Sequence, residues 1–311
     1  MRLSELILHQ YATSPFSEKI RAILGAKGLS WRAVDIPSIL PKPDVVALTG
    51  GYRRTPVLQI GADIYCDTEL IARTLDARAP APPLYPATTA ATAVALAQWA
   101  DSTLFLAAAV LFSQREVLTQ LFRGRDDLLQ AFVADRVAMR KGAPGRRPTA
   151  IEARLLVEGF ARRFDTQLAQ GSQWLVGETP TIADFSVYHA LWFVLGAPQV
   201  KNLLAPFEHV ARWMQAMRAF GHGRSTPLSS ADAVEIARAG TPGAIEAASD
   251  NQEFAPGAAV EVLPTDYAFD PVAGTLARLS ADTIAVRRTD VRAGELIVHF
   301  PRSGYEIRKP G

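Results

Sequence analysis

Three short stretches near the N-terminus carry polar side chains in arrangements that could do chemistry. The first is Tyr11-Ala12-Thr13-Ser14-Pro15-Phe16-Ser17, between an apolar run (ELILHQ, 5–10) and a helical pattern with Ile20, Ile23 and Leu24 on one face. A helix N-terminus presents free N–H groups and a partial positive charge, so it favours an anion. A thiolate is such an anion. A free thiol has a pKa of about 8.5 and needs stabilisation to ionise at neutral pH, which a serine hydroxyl donating to the sulfur helps to provide. The second stretch is Arg53-Arg54-Thr55-Pro56-Val57-Leu58. A proline opening a strand cannot donate to the ladder, which leaves the edge beside it free to pair with a peptide. The Thr55–Pro56 bond is a candidate for the cis form. The third is Asp67-Thr68, where a hydroxyl and the free N–H groups at a helix start could receive a ligand carboxylate. Each also has a purely structural reading. Ser14 or Ser17 serves as an N-cap, Pro56 as an edge-strand proline, and Asp67-Thr68 as an N-cap pair.

These stretches need elements to hold them. The run 5–10 reads as a short buried strand, Ser17–Lys27 as a helix stopped by Gly28, and WRAVDI (31–36) as a second strand. After a Pro- and Gly-broken loop, TPVLQI (55–60) and IYC (64–66) form a hairpin, and a helix follows from Thr68 to Arg78. The order β-α-β, loop, β-β-α is the thioredoxin-type α/β arrangement. APAPPLYP (79–86) is a linker. Residues 87–222 read as an all-helical bundle, interrupted by KGAPGRRPT (141–149), with 126–147 looking like an insertion. GHGRSTPLSS (221–230) reads as a second linker. A short helix then gives way to period-two patterning, such as Val260/Val262, Ile284/Val286 and Leu296/Val298/Phe300. Units at 1–78, 87–222 and 232–311 are therefore expected, the last a small β-rich, barrel-like module packed on the helical bundle.

The 311 residues are 49% hydrophobic and 21% charged with a net charge of +2, so neither nucleic acid nor a membrane surface is demanded as partner. The single cysteine, Cys66, excludes an intramolecular disulfide and a CxxC pair, and its place at a strand end reads as a buried inert thiol. The five histidines have no metal-ligand spacing, so no metal is expected. The N-terminal ten residues lack a signal-peptide core, and the apolar run Leu104–Phe112 is shorter than the ~20 residues that span a bilayer. A cytoplasmic protein is the simplest expectation.

Taken together, the order and spacing of these motifs resemble the glutathione transferase superfamily. SPFSEKIRAIL resembles its active-site loop and first helix, RTPVL its cis-proline stretch, and CDTELIARTLD its motif for the γ-glutamyl group. LVGETPTIADF (175–185) resembles the G-x-x-P-T-x-A-D segment of its all-α C-terminal domain, with Thr181 and Asp184 as a structural capping box. The resemblance spans about residues 5–222 and leaves the C-terminal module outside it.

The resemblance implies that Ser14 stabilises the glutathione thiolate, with Tyr11 an alternative hydroxyl donor and Phe16 beside the second substrate. Thr55, before Pro56, would bond the cysteinyl part through its backbone. Asp67 and Thr68 would hold the γ-glutamyl end, and Arg53 or Arg54 would reach the glycyl carboxylate. It further implies a homodimer and a reaction of glutathione, as co-substrate, with a small apolar electrophile, by conjugation or glutathione-dependent isomerisation. The alternative is a catalytically silent scaffold whose C-terminal module binds another protein.

Overall fold

The structure, a computed structural model, describes residues 5–197, 200–244, 248–249 and 253–311; Met1–Ser4, at the head of the first segment read above, lie outside them. The N-terminal part runs β1 (Ile7–Gln10), α1 (Pro15–Ala26), β2 (Ser30–Asp35), α2 (Pro43–Thr49), β3 (Val57–Ile60), β4 (Asp63–Cys66) and α3 (Thr68–Arg78). Ser14 caps α1, Pro15 takes its first turn, and Gly28 follows its end with φ +60°. Proline fits a helix start because the lost N–H had no partner there, and glycine takes a positive φ without strain.

β1 pairs in parallel with β2 and antiparallel with β3, and β3 forms the hairpin with β4. Alternation along these strands divides two cores. Leu6, Leu8 and Leu58 join α1, α3 and the helical bundle. Ile7, Val57 and Ile64 face the other way, toward α2.

The helical part is α4 (Ala90–Trp99), a π-helical turn (Ala100–Leu104), α5 (Phe105–Phe112), α6 (Arg115–Leu121), α7 (Asp126–Arg140), α8 (Ala150–Ala169), α9 (Ile182–Leu195), a 3-10 turn (Lys201–Leu204) and α10 (Glu208–Ala219). The π turn joins α4 and α5 without a break. The resulting run Ala90–Phe112 is long and apolar enough to cross a membrane by length and composition, and it packs against α8 and α9. The capping box read from sequence is present, with Asp184 Oδ2 accepting from the Thr181 N–H at 2.9 Å.

The remainder is β5 (Arg224–Pro227), α11 (Ser230–Ala239), β6 (Ala248–Ser249), β7 (Ala259–Pro264), β8 (Val272–Leu279), β9 (Thr283–Asp290), β10 (Gly294–Pro301) and β11 (Tyr305–Arg308). This module is β-rich as expected, but it is not a closed barrel. Its strands continue the N-terminal sheet in the order β11-β7-β8-β9-β10-β4-β3-β1-β2-β5, with β6 beside β8.

Two further expectations differ from what is observed. The module packs mainly on the thioredoxin-like sheet rather than on the helical bundle, which it touches through the Ala268 N–H on the Met139 carbonyl of α7. β10 runs parallel to β4, pairing Val298 with Ile64, and its core residues Val260, Leu276, Ile284, Leu296 and Phe300 merge with Ile7, Val34 and Ile64. An unpaired β4 edge would leave a row of backbone groups unsatisfied, and β10 supplies them. The stretch read as a linker at 221–230 contains β5, which pairs with β2 at the opposite edge. Gly25 makes this possible, since a Cβ there would stand 2.1 Å from the Gly221 carbonyl oxygen.

Candidate functional site

The strand register brings the three polar stretches to one end of the sheet. His9 stands opposite Val57 and Val57 opposite Cys66, so Tyr11, Thr55-Pro56 and Asp67-Thr68 follow directly at the ends of adjacent strands. β10 lies on the other side of β4 with His299 opposite Tyr65. The β10–β11 turn and Tyr305 therefore belong to the same end.

On the first stretch, Ser14 is only 2% exposed, and its Oγ accepts from the Ser17 N–H at 3.2 Å. Accepting leaves the Ser14 O–H free to donate. The Ser17 hydroxyl is fully buried and has no hydrogen-bond partner. The Phe16 ring meets Phe105 of α5 at 4.5 Å and His189 of α9 at 4.7 Å, whereas Tyr11 leans toward the opposite core, 5.8 Å from Lys42 Nζ. Arg21 donates to the Ala12 carbonyl at 3.0 Å and is itself held by Glu18, which also accepts from Tyr188 and contacts His222. Burial pushes the Glu18 carboxyl up, but the His222 hydrogen bond and Arg21 outweigh it and bring the pKa to about 2. The backbone of the Tyr11–Ser17 stretch thus rests on a buried, charged clamp.

On the second stretch, Thr55–Pro56 is cis. Lys42, buried between Pro41 and Pro43, donates to Thr55 Oγ1 at 3.0 Å and to the Arg53 carbonyl at 3.3 Å. Burial, and then Arg136 and Arg53 against the pull of Asp135, bring its pKa down to about 8. Both arginines read as reaching outward are engaged within the chain. Arg53 pairs with Asp135 of α7. Arg54 pairs with Asp266 and the Tyr267 carbonyl of the C-terminal module, and its Cζ lies 3.9 Å from the Tyr267 ring centroid.

On the third stretch, Asp67 has φ +74° and caps α3, its Oδ1 accepting from the Glu69 N–H at 3.0 Å. Its Oδ2 accepts from the Tyr305 hydroxyl, also at 3.0 Å. Thr68 Oγ1 faces Lys19 Nζ at 3.4 Å. Lys19, buried on α1, pairs with Asp101 in the π turn at 2.6 Å, and Asp101 meets His189 Nε2 at 2.9 Å. Burial raises the Asp101 pKa, but Lys19 and His189 outweigh it and hold the carboxyl at about 2. Cys66 is buried, and burial followed by the Asp67 charge pushes its thiol up, away from reactive thiolate. Among the described residues, no group of three or more His, Cys, Asp or Glu could hold a metal ion.

Sequence reasoning missed Lys42, the Lys19–Asp101–His189 chain, and the module residues Asp266, Tyr267 and Tyr305. The placement of Lys42 between two prolines was the one local signal. The others depend on contacts between distant segments.

Comparison with known proteins agrees with this architecture. The family models for the glutathione S-transferase N-terminal and C-terminal domains match residues 8–83 and 123–216. No curated protein matches the chain. Among solved structures, a GST-like protein from Pseudomonas syringae is 41% identical, with 98% of this chain and 100% of that chain aligned at a TM-score of 0.82. A glutathione S-transferase from Rhodospirillum rubrum F11 is 19% identical over 69% of this chain and 88% of that one, at a TM-score of 0.53. Glutathione transferase F7 from Populus trichocarpa is 13% identical over 69% of this chain and 93% of that one, at 0.51. The latter two share the fold. With both domain models matched and a relative aligned from end to end, the chain belongs to the glutathione S-transferase family.

Proposed function

We propose that the protein binds glutathione and adds its thiolate to a small apolar electrophile. The observation that carries this reading is Ser14 at the N-cap of α1, its hydroxyl proton uncommitted, at the sheet end where Thr55 and Asp67-Thr68 converge. The Ser14 hydroxyl donates to the sulfur, and the α1 N-terminus adds its dipole. Thr55 pairs with the cysteinyl backbone. Asp67 receives the γ-glutamyl ammonium, with Thr68 beside it. Lys42, next to Thr55, supplies positive charge for the glycyl carboxylate, with Arg53 and Arg54 as further candidates. The thiol proton leaves to solvent, and the sulfur forms the new C–S bond; isomerisation of a bound adduct is the variant of the same chemistry. Phe16 packs directly on Phe105 of α5, so the electrophile lies beside that ring pair, at the junction of units 1–78 and 87–222. A cytoplasmic homodimer acting on small molecules, with no nucleic-acid or membrane partner, completes the reading. Light scattering that finds a monomer at tens of micromolar would count against the dimer.

A silent scaffold is the second reading, favoured by the module's hold on Arg54 and Asp67. Calorimetric titration with glutathione separates the two. Saturable binding in the micromolar-to-millimolar range supports the transferase, and no heat at high ligand concentration supports the scaffold.

A further inference from the structure

Arg54 presents an incompletely used anion grip. Its Nη2 donates to Asp266 and to the Tyr267 carbonyl, while its Nε is buried with no acceptor. Those two N–H groups lie along one edge of the guanidinium, the edge that takes a carboxylate through two parallel bonds. Asp266 occupies only part of that edge. The two partners also differ in exposure, since the Arg54 side chain is 11% exposed and that of Asp266 is 59% exposed.

The chain around Asp266 is fixed. Thr265 N–H donates to the Gly304 carbonyl at 3.0 Å, Ala268 N–H donates to the Met139 carbonyl at 2.7 Å, and the Tyr267 ring lies under Arg54. Asp266 Oδ1 also accepts from the Tyr267 N–H at 3.0 Å, so the carboxylate turns into solvent about its own side-chain bonds by giving up that bond to water, while the β7–β8 connection stays in place. The Tyr267 carbonyl would remain on Arg54 throughout.

We propose that Asp266 is a specificity-determining residue of the ligand site, occupying a carboxylate subsite on Arg54 that the ligand must take over. A ligand carboxylate gains both Nε and Nη2, satisfies the buried orphan, and displaces Asp266 to water. A ligand without a carboxylate meets no such competition and gains no such contact. The C-terminal module thereby sets the charge preference of a site built by the N-terminal sheet. This inference rests on the glutathione reading.

The test is calorimetric titration of the full-length protein and its Asp266→Asn variant with glutathione and with glutathione diethyl ester, in which both carboxylates are capped. Asp266 is exposed enough that the variant should stay folded, with a melting temperature lowered by no more than about a few degrees. The expected result is glutathione affinity about twofold to fivefold higher in the variant, as for loss of a half-exposed ion pair, with the diester unchanged. Binding by the variant alone, with none by the natural protein, also supports the proposal. Glutathione affinity that is unchanged or weaker in the variant, or an equal gain for the diester, overturns the proposal and leaves the glutathione reading standing. Absence of binding by both proteins removes the glutathione reading, and the proposal with it.

Discussion

The Tyr305 hydroxyl donates to the Asp67 carboxylate across 3.0 Å, and the Tyr52 hydroxyl lies 3.0 Å behind it. With the Tyr305 proton committed to Asp67, Tyr52 is the donor in the second bond. Strand β11 thus begins at a relay that steadies the N-cap of α3. Burial, then the Asp67 charge, pushes both phenols above their ordinary pKa, so both stay protonated. Tyr305→Phe removes the middle of the relay and strands a buried Tyr52 O–H. We expect a loss of about 1–3 kcal/mol in denaturant unfolding and weaker glutathione binding. Unchanged stability would show that water replaces the hydroxyl without cost.

Ser14→Ala removes both the N-cap of α1 and the hydroxyl proposed to donate to the sulfur. The cap should cost about 1 kcal/mol of stability. The distinguishing effect is a higher apparent pKa for bound glutathione, read from thiolate absorbance, together with slower conjugation. Loss of stability with an unchanged thiolate signal would reduce Ser14 to its capping role and move attention to Ser17 or Tyr11.

Lys42 gives the site a pH dependence. Its folded-state pKa, lowered from 10.5 to about 8, means that the unfolded chain binds more protons between those values, so its contribution to stability rises with pH across that window. Anion binding runs the other way. Affinity for S-methylglutathione, which has no thiol to titrate, should begin to fall as pH rises through about 8. In Lys42→Met the affinity should be lower at pH 7 and fall less across the same step, since only the ligand's ammonium then loses its proton. A fall of equal size in both proteins would clear Lys42 of the role.

Truncation after Arg224 deletes β10 and α11 and most of β5. It opens both edges of the β2-β1-β3-β4 sheet and uncovers Ile7, Val34 and Ile64. The shortened chain should be insoluble or strongly self-associating rather than a folded two-domain protein. A soluble, monodisperse product with a cooperative melting transition would contradict the shared core.

What was legible in the sequence was local. The Thr181–Asp184 capping box, Ser14-Pro15 at a helix start, and period-two runs such as Leu296/Val298/Phe300 each bind partners a few residues apart or repeat with an element's own period. The three candidate stretches were found because each ends an element. Their tenants were not. Asp266 reaches Arg54 and Tyr305 reaches Asp67 across more than two hundred residues, and no spacing rule records such a pairing. β5 was invisible for another reason. Its residues Arg224–Pro227 are all exposed, so no burial pattern marks the stretch as a strand.

The pairing of β4 with β10 also bears on how the chain acquires its structure. During synthesis β4 emerges early and its neighbour more than two hundred residues later, with the whole helical bundle made in between. A thioredoxin-like unit that collapses on the ribosome must therefore wait with an open strand edge until β10 has been made. Closing so long a loop slows the final step, and the waiting edge is a place where two nascent chains can join. A strand made late acts as the lock on strands made early, so loss of β10 would damage the earliest-made part of the fold most.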